Sequence, residues 1–413
     1  MNKPLRFCMV TTFYPPYHFG GDGMFVYRLS NELAQRGHHV DVIHSIDSYL
    51  LKSGKLRWEY PNHPNVNVHG LKSKTGFLSL LLSQQLGFPV LKAREVKKII
   101  EDGKFDVIHF HNVSLMGGPK VLEYGNAIKL YTTHEYWLVC PTHVLFKFNR
   151  EACVETSCLK CQIINKRPPQ LWRYTDMLDR ALKHIDAIIS PSRFTADTHR
   201  NMGIQIPIEY IPMFVPRPSQ PLSNTEGSNR FANPERPYFL FVGRLEKLKG
   251  VQNLIPIFSQ YSHTDLLIAG DGEFRKRLQE IASENPRVKF LGNLSYEDLK
   301  GLYAGAIALL VPSLCYETFG QTIVEAFTMK TPVIVKNIGA LPELVTESGG
   351  GFLYQKESEL TDIMEKLRTN PDLRNELGER GFQTYSRCWT EERHLEEYFK
   401  LISGIEKRRR MIA

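Results

Sequence analysis

The stretch ALLVPSLCYETFGQTIVEAFTMKTPVIV, Ala308 to Val335, decides the fold. An apolar strand runs into a short loop bearing Glu317, Gly320 opens a helix bearing Glu325, and a second apolar strand, Pro332–Val335, follows at once. In an open parallel sheet, ligands sit outside the carboxyl ends of strands, where this loop must lie. The first amides of the helix, around Gly320, Gln321 and Thr322, lack intrahelical partners and suit an anion. Two carboxylates beside an anion site suggest recognition of hydroxyls next to a phosphate, the outline of a nucleotide-sugar pocket.

Working outward, apolar strand-like runs alternate with amphipathic helix-like runs in both halves, the pattern of βα units and parallel sheets. The first half is expected to hold strands at Arg6–Thr11, Val40–His44, Asp106–His109, Ile128–Thr132 and Ala187–Ser190. The second is expected to hold them at Tyr238–Val242, Asp265–Ala269, Val288–Leu291, Ile307–Val311 and Pro332–Val335. Between the halves, Pro216–Pro237 is rich in Pro, Ser and Asn without apolar periodicity and reads as a linker.

A chain of 413 residues is too long for one ordinary core, and two or three domains are expected. Hydrophobic content of 42% and charged content of 23% are those of a globular protein in water. No apolar run approaches the roughly 20 residues that span a bilayer. The start, MNKPLRFCMVTTFYPP, reads as a first strand and not a signal peptide, so a cytoplasmic protein is expected. Residues 1–215 hold 26 Lys+Arg against 18 Asp+Glu, whereas the remainder holds 26 against 26. The basic first half suits an anionic surface or substrate. No zinc-finger, RNP or Arg-rich motif accompanies the charge, so nucleic acid is not an expected partner.

Three glycines, Gly20, Gly21 and Gly23, follow the first strand and precede a helix, where backbone can approach a ligand or simply turn tightly. They do not fit G-x-G-x-x-G, so a dinucleotide fingerprint is not supported. In FVGRLEKLKGVQNLI, Phe241–Ile255, Gly243 and Arg244 follow a strand and Lys249 precedes Gly250 and a helix. A rigid guanidinium and a mobile ammonium five steps apart can both reach one diphosphate and stabilise charge on a leaving phosphate.

His109 and His111 end one strand and His134 ends the next, which points them at one crevice. Four of seven cysteines, Cys140, Cys153, Cys158 and Cys161, are spaced C-x12-C-x4-C-x2-C. A structural zinc is the expectation, with reduced thiols, an oxidised pair or an iron–sulfur cluster as alternatives. The scattered Cys8, Cys315 and Cys388 read as small buried apolar residues. Lys74–Arg94 is apolar in the middle and basic at both ends. A buried helix is the favoured reading, and a helix resting in a membrane interface the alternative. The basic run Lys407–Arg410 reads as a solvated end, or as a contact for anionic lipid.

Together, Gly20-Gly21, Gly243-x-Leu245, Lys249-Gly250, the Ala269–Gly272 turn and the Glu317–Glu325 segment resemble a family 4 retaining glycosyltransferase (glycosyltransferases group 1) of the GT-B fold. In the first half, GGDGMFVYRLSNELAQRGHHVDVI, FDVIHFHN and IISPSRFTADTHRNMG carry the same resemblance. It implies an α/β protein with two Rossmann-like domains facing across a cleft. The first, at 1–215, would take the acceptor, and the second, at 238–390, the nucleotide sugar. A 216–237 linker would join them, and the terminal helix, 391–413, would pack back on the first.

The resemblance also implies roles. Arg244 and Lys249 would grip the donor diphosphate, Glu325 the ribose and Glu317 the sugar hydroxyls. Gly243, Gly270 and the Phe319–Gly320–Gln321–Thr322 backbone would lie close to the donor, and Gly20 and Gly21 would border the diphosphate. His134 first, and His111 second, would position the sugar without acting as a general base. The sequence has no Asp-x-Asp, so no metal is expected in catalysis. The expected partners are a UDP- or GDP-sugar and a glycan or lipid-linked acceptor, as in surface-polysaccharide synthesis, with peripheral contact at an anionic membrane as a further expectation. The alternatives are a nucleotide-sugar 2-epimerase of the same fold and a zinc-stabilised module binding anionic polymers.

Overall fold

A computed structural model of the protein describes residues 3–51, 56, 59–217, 236–283 and 285–412. The chain divides into two compact units. The first comprises residues 1–144, 155–211 and 395–413, and the second residues 145–154 and 212–394. The division departs from the boundaries read from sequence at 145–154 and 212–215, which cluster with the second unit. Most of the linker expected at 216–237 lies outside the described residues.

In chain order the strands begin with β1 Arg6–Val10, β2 His39–Ser45, β3 Val66–Leu71, β4 Val107–Phe110 and β5 Ile128–Thr132. A short antiparallel hairpin, β6 Phe146–Lys147 and β7 Glu151–Ala152, precedes β8 Ala187–Ser190 and β9 Ile208–Tyr210. The first unit's sheet is parallel throughout, in the order β3-β2-β1-β4-β5-β8-β9. Every residue of β4, β5 and β8 is buried, as expected of strands covered by helices on both faces. Val10, Ile43, Ile108, Phe110 and Tyr131 belong to one apolar core.

The second unit repeats the plan with β10 Tyr238–Val242, β11 Asp265–Ala269, β12 Val288–Gly292, β13 Leu309–Val311, β14 Val333–Lys336 and β15 Gly351–Tyr354. Their order is β12-β11-β10-β13-β14-β15, again parallel, around a core including Phe239, Ile268, Leu310 and Ile334. Each sheet changes winding direction once, between β1 and β4 and between β10 and β13. Loops leaving those strand pairs diverge to opposite faces and open a crevice, the favoured ligand position in such sheets.

Three strands of the parallel sheets were not legible as strands, β3, β9 and β15, and neither were the two-residue strands β6 and β7 of the hairpin. The first three lie at sheet edges and are only partly buried; VNVHGL and IEY are broken by polar residues, and the apolar run of GFLY is only three residues long. The terminal helix, Glu391–Ile412, starts in the second unit, and from Leu395 onward belongs to the first. There the Tyr398 hydroxyl meets His109 and the Arg409 guanidinium grips Asp186, its Nη2 2.8 Å from Oδ2. Within the basic tail, Arg409 is therefore packed against the first unit.

The favoured reading of Lys74–Arg94 needs correction. A helix does form at Gly76–Leu86, but it buries Ser79, Leu80 and Ser83 while Phe77 and Leu78 are exposed. No described helix is long and apolar enough to cross a membrane.

Candidate functional site

In the second unit, β10 ends at Val242 and the chain turns through Gly243 and Arg244 to a short 3-10 turn, Lys247–Lys249. Gly250, at φ 77°, then takes the left-handed backbone that glycine adopts without strain. A Cβ there would lie 2.0 Å from the Pro312 carbonyl oxygen, so only glycine lets this loop press against the end of β13. The Leu314 amide donates to the Leu248 carbonyl at 2.8 Å and ties the two loops together. Lys249 consequently meets Glu317, Nζ to Oε1 2.6 Å, and the Ser313 hydroxyl donates to the same oxygen at 2.8 Å.

Both side chains of this pair are about one-fifth exposed (19% for Lys249 and 21% for Glu317). Burial works against both charges, yet each outweighs that cost on the other. The Lys249 ammonium sits above its usual range and the Glu317 carboxyl below its own. Both are charged at neutral pH. Burial, reinforced by Glu317, pushes the neighbouring Cys315 thiol up to about 12, so it stays a neutral, packed thiol.

Gly320 caps the helix Gln321–Thr328, and the first amides bonded within it are those of Ile323 and Val324, both to the Gly320 carbonyl. The Gln321 and Thr322 amides therefore point out of the helix start. One turn in, the Glu325 carboxylate accepts from the Tyr303 hydroxyl at 3.1 Å. Phe319 is buried beneath the loop. Arg244 is exposed and paired with Glu246, Nη1 to Oε1 2.8 Å. After β11, Gly270 passes so close to Gly243 that a Cβ would lie 1.9 Å from the Gly243 carbonyl oxygen. Phosphate-sized anions are suited by this combination of a partly buried ammonium, a nearby guanidinium and a helix start at one switch point.

The first unit carries a histidine chain at its own switch point. His109 and His111 share a face of β4 and its extension, with ring centroids 4.0 Å apart. His109 is fixed by the Thr132 hydroxyl at 2.7 Å and the Tyr398 hydroxyl at 3.0 Å. His111 Nδ1 and His134 Nε2 are 2.9 Å apart, so one donates and the other accepts. His134 also packs on Phe25 from the helix Gly21–Gln35, whose start is Gly20 and Gly21. Burial pushes the His134 pKa down to about 4, against the pull of Asp22 and Glu135. The ring is thus neutral at physiological pH.

Two fully buried histidines of this unit, His44 and His199, are also held down to about 4, chiefly by burial. Unfolded, each would titrate near 6.5. The unfolded chain therefore binds more protons between pH 6.5 and 4, and stability must fall as pH drops through that window. The slope is about 1.4 kcal/mol per pH unit for each histidine fully in its window. Melting curves from pH 7.5 to 5 should show the first unit losing stability on acidification, and a flat profile would contradict the burial of these rings.

The sequence did not mark Ser313, Tyr303 or Tyr398 as partners of this machinery, and it marked His109 without its Thr132 and Tyr398 partners. Only the H-x-H spacing of His109 and His111 hinted at a shared face. The cysteine expectation fares differently. Among the described residues no group of three or more His, Cys, Asp or Glu side chains is placed to hold a metal ion. Cys140 Sγ lies 3.2 Å from the Thr142 hydroxyl, and Cys161 Sγ accepts from Asn165 Nδ2 at 3.4 Å. Burial, with Cys140 and Cys161 nearby, pushes the Cys158 thiol up. As placed, these residues do not fit a closed thiolate site. Of the scattered cysteines, Cys8 and Cys315 are buried and Cys388 is half-buried.

Residues 19–217 match the family described as Glycosyltransferase Family 4, and residues 225–384 match Glycosyl transferases group 1. An uncharacterised glycosyltransferase of Methanocaldococcus jannaschii is 27% identical over 390 residues, covering 85% of this chain and 86% of that protein. Among solved structures, sucrose-phosphate synthase from Thermosynechococcus elongatus superposes with a TM-score of 0.76 at 19% identity, over 98% of this chain and 100% of that one. The Anabaena HepE protein in complex with UDP and glucose gives 0.66 at 17% identity, over 97% and 99%. One family match in each half, on two parallel-sheet units with switch-point sites, has a single reading: the chain belongs to the family 4, group 1 glycosyltransferases and has their GT-B fold.

Proposed function

We propose that the protein is a retaining glycosyltransferase whose second unit holds a UDP- or GDP-sugar and whose acceptor is a glycan or a lipid-linked sugar. The observation that carries this reading is the Lys249–Glu317 pair beside the open amides of Gln321 and Thr322. Lys249 and Arg244 take the diphosphate, and the Gln321 and Thr322 amides add partial positive charge. Glu317, freed from Lys249 when phosphate arrives, accepts from sugar hydroxyls. Glu325 accepts from the ribose.

The bond from the anomeric carbon to the diphosphate oxygen breaks while the acceptor oxygen bonds to the same face of that carbon. The acceptor proton passes to the departing diphosphate. Cations and helix amides stabilise the charge that develops there, so the proposed step needs no metal. A half-buried, neutral His134, held by His111, suits positioning of a sugar hydroxyl better than proton abstraction. The similar Anabaena structure, named for its UDP and glucose, supports the donor class.

Replacing Glu325 with alanine removes a charged acceptor. It is expected to weaken donor binding about tenfold or more, as loss of a charged hydrogen bond of about 1.5–3 kcal/mol requires. Calorimetric titration of the nucleotide sugar checks this, and unchanged affinity would remove the ribose from Glu325. Accumulation of a 2-epimer of the donor sugar in reactions without acceptor would favour the epimerase instead.

A further inference from the structure

The helix Gly76–Leu86 has its faces reversed. Its buried positions, Ser79, Leu80 and Ser83, lie at i, i+1 and i+4, one face of a helix, and two of the three are serines. Phe77 is 66% exposed and Leu78 47%, while Leu81 and Leu82 are only half-buried. A helix that hides serine and shows phenylalanine and leucine to water is losing the apolar burial that normally holds a surface helix down.

This helix is not isolated. The Trp172 indole N–H donates to the Gln84 carbonyl at 2.9 Å, and the Gln84 side chain donates to the Pro168 carbonyl at 3.3 Å. The Gln170 amide donates in turn to the Gln162 side chain at 3.1 Å, on the short helix Cys158–Ile164. Along this connected surface Leu159, Ile163, Leu171 and Tyr174 are exposed. Of the fifteen large apolar side chains exposed among the described residues, nine fall within residues 77–91 and 159–174. Such concentration in two short stretches marks an interaction surface, since scattered exposure is ordinary.

Within the two stretches the charge is of one sign, and exposed acids, Glu95, Glu155 and Asp176, appear only at their ends. Residues 71–94 and 158–174 contain no Asp or Glu. Lys72, Lys74, Arg94, Lys160, Lys166 and Arg167 are all exposed there. The first stretch follows β3, and Arg173 of the second donates to the Trp137 and Leu138 carbonyls just beyond β5; the carboxyl ends of β3 and β5 share the end of the sheet that carries His111 and His134. Exposed apolar side chains interspersed with cations match a bilayer with anionic headgroups, where the apolar residues enter the acyl boundary and the cations meet phosphates.

We propose that this face of the first unit rests on an anionic lipid bilayer. It extends the glycosyltransferase reading, on which it rests for its purpose, by giving the route to the acceptor: a lipid-linked sugar entering from the membrane at the His111 and His134 end of the sheet.

The test is co-sedimentation of the full chain, without donor or acceptor, with vesicles of 70% phosphatidylcholine and 30% phosphatidylglycerol and with vesicles of phosphatidylcholine alone. Binding to the anionic vesicles should be at least tenfold stronger and should fall tenfold in 0.5 M salt, roughly as screening of several phosphate contacts demands. The Phe77→Ser/Leu78→Ser variant should bind at least tenfold more weakly, and so should Lys72→Ala/Lys74→Ala/Lys160→Ala. All of these side chains are exposed, and unchanged melting temperatures would show that the variants fold. Wild-type protein that stays with the supernatant, or variants that bind like wild type, would overturn the proposal. So would a wild-type dimer that Phe77→Ser/Leu78→Ser converts to monomer without vesicle binding, because a second copy would then be the occupant. Vesicle binding is read without nucleotide sugar, so its failure is distinguishable from failure of the donor assignment.

Discussion

Lys249→Met is expected to lower turnover about a thousandfold, since it removes the partly buried cation that the proposed mechanism sets against the leaving diphosphate. It should also cost stability, because Glu317 would keep its charge without its partner. For a fully buried pair the loss is about 3–5 kcal/mol, and with both side chains one-fifth exposed about 2 kcal/mol is expected. The two effects can be separated. Lys249→Met/Glu317→Gln leaves no unpaired charge and should recover most of the stability while turnover stays low. Recovery of turnover along with stability would show that Lys249 acts on the fold and not on the phosphate. Release of nucleoside diphosphate from donor and denaturant melts of the single and double variants supply the numbers.

Gly270→Ala has the second large expected effect. Its φ is 141°, and the added Cβ would lie 1.9 Å from the Gly243 carbonyl oxygen, a backbone atom with no flexible side chain to swing aside. The Gly243 amide donates to the Ala269 carbonyl at 3.0 Å and the Gly270 amide to the Gly292 carbonyl at 2.7 Å, so both strands are pinned. The β10 loop that carries Arg244 must move. A destabilisation of about 3 kcal/mol or more is expected, with donor binding lost alongside it. Gly349→Ala is the control: its φ is 59°, but the nearest atom to its Cβ would be 3.7 Å away, on the Arg380 side chain. Only the cost of left-handed backbone, roughly 1 kcal/mol, should appear there. Equal losses in the two variants would show that backbone angle, not the Gly243 contact, is what Gly270 serves.

The central strands were legible because burial on both faces leaves a continuous apolar run, as in YFLFV of β10 and DLLIA of β11. Edge strands such as β3 have one free side and no such signature. Arg244, Lys249, Glu317 and Glu325 could be chosen because they follow strand ends or open a helix, which local sequence reveals. That Lys249 and Glu317 hold each other could not be read, since 68 residues separate them and their loops meet only through the fold, where Gly250 lies against Pro312 and the Leu314 amide donates to the Leu248 carbonyl. The His109–Tyr398 contact spans 289 residues and is equally invisible in local pattern. The helix Gly76–Leu86 misled because apolar composition ordinarily means burial. Here serine occupies the inner face, and the leucines are left for another surface.

The central claim, a nucleotide-sugar site in the second unit, meets its most direct test in thermal melting of the wild-type chain and Lys249→Met with a panel of UDP-, GDP- and ADP-sugars. At a hundredfold excess over Kd, a true donor stabilises the folded state by about 2.7 kcal/mol. One UDP- or GDP-sugar should therefore raise the wild-type melting temperature by several degrees and leave Lys249→Met nearly unmoved. A wild-type chain indifferent to every nucleotide sugar, or equal shifts in both proteins, would contradict it.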